Sequence, residues 1–233
     1  MKTMILAAGR GERMRPLTDT TPKPLLAAGG KPLIVWHLER LAAAGFTDIV
    51  VNHAHLGEKI EATLGDGRGF GVSITYSPEP PGALETAGGI ARALPLLGNA
   101  PFLVVNGDIW CDWDVARAPA LAASLGPEQS ALAHLVFVPN PAQHAGGDFT
   151  LKGNTVTLAH GGPTHTYAGI GIFHPAFFAG VCPNTPLKLR PLLDAAIPRG
   201  HVQGELHTGR WTDVGTPERL AELDRQLHTP ISS

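Results

Sequence analysis

Three cations, Arg13, Arg15 and Lys23, stand close together near the N-terminus of this 233-residue chain. Ahead of them runs Gly9-Arg10-Gly11-Glu12, a loop whose two glycines let backbone N–H groups approach an anion closely. Pro22 and Pro24 flank Lys23 and stiffen the backbone on both sides of its ammonium. A glycine loop and three cations on stiff backbone outline a triphosphate site. An acid follows further on: Asp108 comes directly after the apolar run Phe102 to Val105 and the turn residues Asn106-Gly107. At the end of a buried strand it is placed to bind a divalent metal, and equally to cap the next element as an Asx-turn residue. A second acid, Asp213, lies in Arg210-Trp211-Thr212-Asp213-Val214-Gly215-Thr216-Pro217, where Thr216 reads as a helix N-cap and Pro217 as the first helical residue.

Short apolar runs alternating with helical patterns must position these groups. Strands are predicted over 4–8, 48–52, 72–76, 101–106, 131–138, 167–173 and 202–206, with a hairpin of 149–151 and 155–158 around Gly153-Asn154. Helices are predicted over 33–44, closed by Gly45, and over 56–64, 85–94, 189–197 and 217–227. Strand and helix in alternation imply an α/β fold, a Rossmann-like and mostly parallel mixed sheet with helices on both faces. Ligands of such sheets bind beyond the carboxyl ends of the strands, so the glycine loop and Asn106-Gly107-Asp108 are expected to open onto one crevice.

Composition narrows the partners. The length suits one substantial domain, here 1–233. A net charge of −2 gives no basic field for nucleic acid. Trp36, Trp110, Trp113 and Trp211 are too dispersed for a base-stacking platform. Cys111 and Cys182 cannot form a disulfide framework and point to a reducing compartment. Neither a secretory nor a membrane-spanning pattern appears, so a cytoplasmic protein is expected. His53 and His55 would share a strand face, but no third ligand stands at a metal spacing.

The N-terminal run resembles the signature of sugar-1-phosphate nucleotidyltransferases, roughly GxG(S/T)R(L/M)xPLTxxxPKPL. Gly9, Gly11, Arg13, Met14, Pro16, Leu17, Thr18, Pro22, Lys23, Pro24 and Leu25 match it, and Glu12 departs from the usual Ser or Thr. The WxDVGTP segment is the family's other hallmark. The resemblance implies a nucleotide-diphospho-sugar transferase-like fold and a Mg2+-dependent enzyme using UTP and a sugar 1-phosphate. By it, backbone groups of Gly9, Gly11 and Glu12 cradle the triphosphate, and Arg13 lies against the β- and γ-phosphates. Lys23 touches the α-phosphate, and Asp108 and Asp213 carry the metal. Gly82 to Gly88 resembles the base-reading loop; Glu85 there either meets the base or ribose or simply begins a helix.

The Glu-Lys-Pro element by which many relatives hold the sugar is missing. In its place stand Ala145-Gly146-Gly147-Asp148-Phe149, Tyr167-Ala168-Gly169-Ile170 and Pro186-Leu187-Lys188-Leu189. Together with LET, NGDIW and HPAFF, these look like the small bacterial uridylyltransferases that return a carboxylate-bearing cell-wall sugar to its nucleotide form. Asp148 would bind the sugar, and Lys188, Arg190 or a histidine its phosphate or carboxylate. A glucose-, mannose- or heptose-1-phosphate enzyme, an alcohol-phosphate cytidylyltransferase and an inactive regulatory subunit are the rival readings. All four of Arg13, Lys23, Asp108 and Asp213 are present, against inactivity. The GGDF tetrad lacks the surroundings of a cyclic-dinucleotide synthase. A dinucleotide oxidoreductase fails because no GxGxxG opens into a helix.

Overall fold

A computed structural model describes residues 1–159 and 162–228. Its strands are β1 (Thr3–Leu6), β2 (Ala27–Ala28), β3 (Lys31–Pro32), β4 (Asp48–His53), β5 (Ser73–Pro78), β6 (Phe102–Asn106) and β7 (Ile109–Cys111). They continue as β8 (Ala133–Val138), β9 (Phe149–Lys152), β10 (Thr155–Leu158), β11 (Thr164–Phe173), β12 (Val202–Leu206) and β13 (Trp211–Asp213). The helices are α1 (Leu33–Ala43), α2 (Gly57–Leu64), α3 (Glu85–Leu97), α4 (Ala118–Ala122), α5 (Leu189–Ala196) and α6 (Pro217–His228).

One nine-stranded mixed sheet runs β5-β4-β1-β6-β11-β8-β12-β10-β9. Pairing is parallel from β5 through β6, and again between β8 and β12. The antiparallel β11 is inserted between β6 and β8, and β9 and β10 close the far edge as a hairpin. Alternation along each strand divides its side chains between two cores. Ile5, Leu103 and Val105 face α1, α2 and α4, while Met4, Phe102 and Val104 face α3 and α5. The expected mixed sheet with helices on both faces is therefore present.

A third, smaller core holds the site's frame. Met14, fully buried, packs with Leu26, Leu33, Trp110, Val214 and Leu223 of α6. Full burial of such a side chain is worth about 1.5–3 kcal/mol, enough to pin the loop that carries Arg13. The stretch between β1 and α1 forms three short 3-10 turns over Glu12–Met14, Leu17–Asp19 and Lys23–Leu25. Pro16, Pro22 and Pro24 prevent a longer helix there.

Several elements depart from the pattern reading. Helix α3 runs to Leu97, through Pro95. Pro95 follows ten helical residues, so its missing N–H and its ring disturb one turn of an established helix. Strand β11 begins at Thr164 and shifts register between Tyr167 and Gly171. The two three-residue strands β7 and β13, too short to show a period, pair with each other in a separate ladder.

Candidate active site

Register places the site. Leu6 pairs with Asn52 of β4 on one side and Asn106 of β6 on the other, so these residues mark a common carboxyl edge of the parallel strands. The chain leaves β1 there as Ala7-Ala8-Gly9 and leaves β6 as Gly107-Asp108, as the strand order demands. Gly11 sits at φ +68°, and a Cβ on it would come within 2.9 Å of the Thr18 methyl and 3.2 Å of Lys23 Cβ. Only glycine lets the loop turn back against Lys23. Thr18 Oγ1 donates to Gly11 O at 2.8 Å, closing that turn.

Two cavities open at this edge. The first, about 510 Å³, is lined by Gly9, Gly11, Glu12, Arg13, Lys23, Asn52, Glu79, Gly82, Ala83, Glu85, Thr86, Asn106 and Asp108. The second, about 310 Å³, is lined by Arg13, Asn106, Asp108, Gln143, His144, Tyr167, Gly169, Trp211, Asp213 and Arg219. Arg13, Asn106 and Asp108 belong to both walls. A group bound in one cavity therefore meets a group bound in the other across these three side chains.

The charges at the junction are arranged unequally. Lys23 is 7 % exposed and its Nζ lies 2.5 Å from Asp108 Oδ2, while the Asp108 side chain is 41 % exposed. Asp108 thus compensates a buried ammonium and keeps its second oxygen clear of hydrogen bonds among the described residues. Arg13 is exposed and has no ion pair among the described residues, whereas Arg15 is held by Asp19 at 2.7 Å and lines neither cavity. The cluster of three cations read from the sequence is, at the cavity, a pair.

The acids are brought together by the β7–β13 ladder. Asp213 stands opposite Ile109, and Val214 N donates to Asp108 O at 2.8 Å. Asp213 Oδ1 accepts from Arg219 Nη1 at 2.6 Å and from Gln143 Nε2 at 2.9 Å. Gly215 gives the guanidinium room: a Cβ there would fall 2.1 Å from Arg219 Nη2. Trp211 Nε1 donates to Ala168 O and ties β13 to β11. Behind β7, His37 of α1 is buried, and that burial, reinforced by Arg40, lowers its pKa to about 4 against the opposing pull of the Ile109 backbone and Asp108.

Other residues singled out in the sequence are placed differently. Glu85 is both the first residue of α3 and part of the first cavity's wall. Asp148 lines neither cavity; its oxygens take the Tyr167 N–H at 2.8 Å and the His144 ring at 3.1 Å, so it supports the second cavity's wall. Lys188 is exposed at the start of α5 and lines neither cavity. Arg190 stacks on Phe149 and pairs with Asp194, away from both. Sequence reasoning passed over Asn52, Glu79, Gln143 and Arg219. Asn52 and Glu79 end or follow strands, a usable signal, but Gln143 and Arg219 look like ordinary surface residues until the chain folds.

Asp108, with an open oxygen in the cavity, and Asp213 beside it form an all-oxygen acidic donor set that fits a hard divalent cation such as Mg2+. Cys111, Asp112 and His207 lie within reach of one another elsewhere, and the His207–Asp112 hydrogen bond of 2.6 Å accounts for two of them. No described helix is long and apolar enough to cross a membrane.

The chain also has relatives among known proteins. The nucleotidyl transferase family pattern matches residues 2–146. The chain is 57% identical over 224 residues to N-acetylmuramate alpha-1-phosphate uridylyltransferase of Neisseria meningitidis, covering 95% of this chain and 96% of that one. It is 37% identical to the protein of the same name from Caulobacter vibrioides, covering 96% of each. A Bacillus anthracis chain solved in complex with sucrose superimposes with a TM-score of 0.82 over 100% of this chain and 98% of that one, at 23% identity.

Proposed function

The chain belongs to the nucleotidyl transferase family, and from that premise we propose that it joins UTP and N-acetylmuramate 1-phosphate to give UDP-N-acetylmuramate and pyrophosphate. The observation that carries the reaction type is the shared wall: Arg13, Asn106 and Asp108 face both cavities, with Lys23 against Asp108. The choice of substrates rests on the likeness to the two uridylyltransferases.

In this reading the first cavity takes UTP and the second the sugar phosphate. Backbone N–H groups of Gly9, Gly11 and Glu12 bind the triphosphate oxygens, and the unpaired Arg13 guanidinium lies along the β- and γ-phosphates. An acceptor phosphate oxygen attacks the α-phosphorus, the bond to the β-phosphate bridging oxygen breaks, and pyrophosphate leaves. Lys23 moves from Asp108 toward the α-phosphate, where charge accumulates during transfer. Asp108 and Asp213 would hold Mg2+, which supplies charge neutralisation among the crowded phosphate oxygens when bound. Glu85 and Thr86 face the base, and Gln143, Tyr167 and Arg219 face the sugar phosphate, with Asp148 fixing Tyr167. The single nine-stranded sheet supports one domain, with the nucleotide part to about residue 110 and the acceptor part from 111. Two free cysteines support a reducing cytoplasm, where the step would return cell-wall sugar to its activated form.

Pyrophosphate release with Mg2+ tests the proposal, crossing UTP, dTTP, CTP and GTP against the 1-phosphates of N-acetylmuramate, N-acetylglucosamine, glucose and mannose. UTP with N-acetylmuramate 1-phosphate is expected to exceed every other pair. Preference for another pair overturns the substrates; silence across the panel overturns the enzyme.

A further inference from the structure

Two buried polar side chains on the first cavity's wall have no part in the transfer just described. Asn52 is 2 % exposed and Glu79 is 9 % exposed. They form a hydrogen-bond chain with a backbone donor at each end. The Ala7 N–H donates to Asn52 Oδ1 at 2.9 Å, Asn52 Nδ2 donates to Glu79 Oε1 at 2.6 Å, and the Leu84 N–H donates to Glu79 Oε2 at 2.7 Å. Gly89 of α3 makes room for the pair: a Cβ there would lie 2.5 Å from Glu79 Oε1 and 3.0 Å from Asn52 Nδ2.

The end groups fix what the middle must be. A backbone N–H only donates, so Asn52 must turn its oxygen to Ala7 and its amide nitrogen to residue 79. Residue 79 then faces a donor on each side and must accept with both atoms. A carboxylate does this; a glutamine, with one oxygen and one NH2, cannot.

The gripped amide lies at a demanding point. Leu84 stands between Ala83 at φ +56° and Glu85 at φ +58°, both non-glycine residues in the left-handed region. Such residues persist there only when their surroundings hold them. Ala83 and Glu85 both line the first cavity. The segment is also held by the Ala83 N–H on Pro80 O at 3.3 Å and by the Leu187 N–H on Leu84 O at 3.0 Å, the latter from the far side of the gripped residue.

We infer that Glu79, oriented by Asn52, is a positioning residue for nucleoside triphosphate binding: it holds the strained Ala83–Glu85 segment in the shape that meets the nucleotide. This rests on reading the first cavity as the nucleotide site. The chain ties the loop after β1, the end of β4 and the start of α3 into one frame, so the triphosphate and base walls keep a constant separation.

A swap of donor and acceptor tests it. In Glu79→Gln one amide hydrogen must face a donor, and calorimetric affinity for UTP should fall about tenfold, the scale of one lost charge-assisted hydrogen bond. Amide exchange at Leu84 in the ligand-free protein should accelerate in parallel. Asn52→Asp alone sets two carboxylates together and should weaken UTP binding as well. Asn52→Asp combined with Glu79→Gln restores the alternation: Ala7 N–H to Asp, Gln Nε2 to Asp, Leu84 N–H to Gln oxygen. UTP affinity and Leu84 exchange in this double variant should return to within about threefold of the parent. A Glu79→Gln variant with parental affinity and exchange overturns the inference, as does a double variant no better than either single one. Wild-type protein that binds no nucleoside triphosphate would instead overturn the functional reading, and the nucleotide role of Glu79 with it.

Discussion

The two cavities are walled in different ways. The first draws mainly on two stretches of chain, residues 6–14 and 79–86, shaped by Gly9, Gly11 and Gly82 and by the Glu79 bridge. The second collects side chains from residues far apart in the chain, Gln143, Tyr167, Trp211, Asp213 and Arg219, that meet where β11 breaks register and β13 pairs with β7. Backbone walls suit phosphates, whose oxygens differ little from one nucleotide to another. Side-chain walls can be altered one residue at a time without disturbing the sheet. On the proposed function, the family's shared chemistry belongs to the first cavity and the choice of acceptor to the second.

The sharpest way to break this division is at the junction. Asp108→Asn and Lys23→Ala should each lower kcat by roughly 10²–10³-fold with UTP affinity changed only a few-fold, because both stand where the proposed transfer takes place. Steady-state kinetics beside UTP calorimetry checks this; a large affinity loss with kcat preserved would make them plain nucleotide-binding groups. A smaller effect is expected from Gln143→Ala, which removes the acceptor lobe's hydrogen bond to Asp213. Its KM for the sugar phosphate should rise about five-fold, near 1 kcal/mol, while KM for UTP stays unchanged. An equal rise in both would erase the distinction between the cavities.

The least effect concerns stability rather than turnover. Burial holds His37 neutral with a pKa near 4, below its ordinary 6.5, so the unfolded chain binds this proton more readily. Its contribution is fully present above about pH 6.5 and is lost as pH falls toward 4. Denaturant midpoints measured across that window should decline, and His37→Leu should flatten the decline. A parental protein equally stable at both ends would remove the claim that α1 buries His37 as a neutral imidazole.

How much of this was legible follows from how local each feature is. The signature glycines, Pro22-Lys23-Pro24 and the apolar run into Asn106-Gly107-Asp108 could be read because conformation and chemistry lie within a few residues of each other. The strands of the parallel half were equally plain, each a short apolar run bounded by turn residues. Strands β7 and β13 were not, since three residues carry no period, yet their ladder is what sets Asp213 beside Asp108. Lys188 looked suited to an anionic acceptor by its charge and position, but α5 begins at an exposed corner outside both cavities. Arg219 sits near that site because Gly215 lets its guanidinium fold back onto Asp213.

From its residues alone the chain determined an α/β framework, a glycine loop at the first strand's end, and two acids, Asp108 and Asp213, which the proposed function gives to phosphate and cation. Those properties follow from glycine and proline geometry, hydrophobic alternation and charge, all of which act over short stretches. Only the tertiary structure decided that Arg13, Asn106 and Asp108 divide two cavities, that Asp148 lines neither and bonds the Tyr167 backbone, and that Glu79 must accept on both oxygens. Each of these depends on what stands opposite a side chain, and that neighbour is brought there by strand register and helix packing across long separations in sequence.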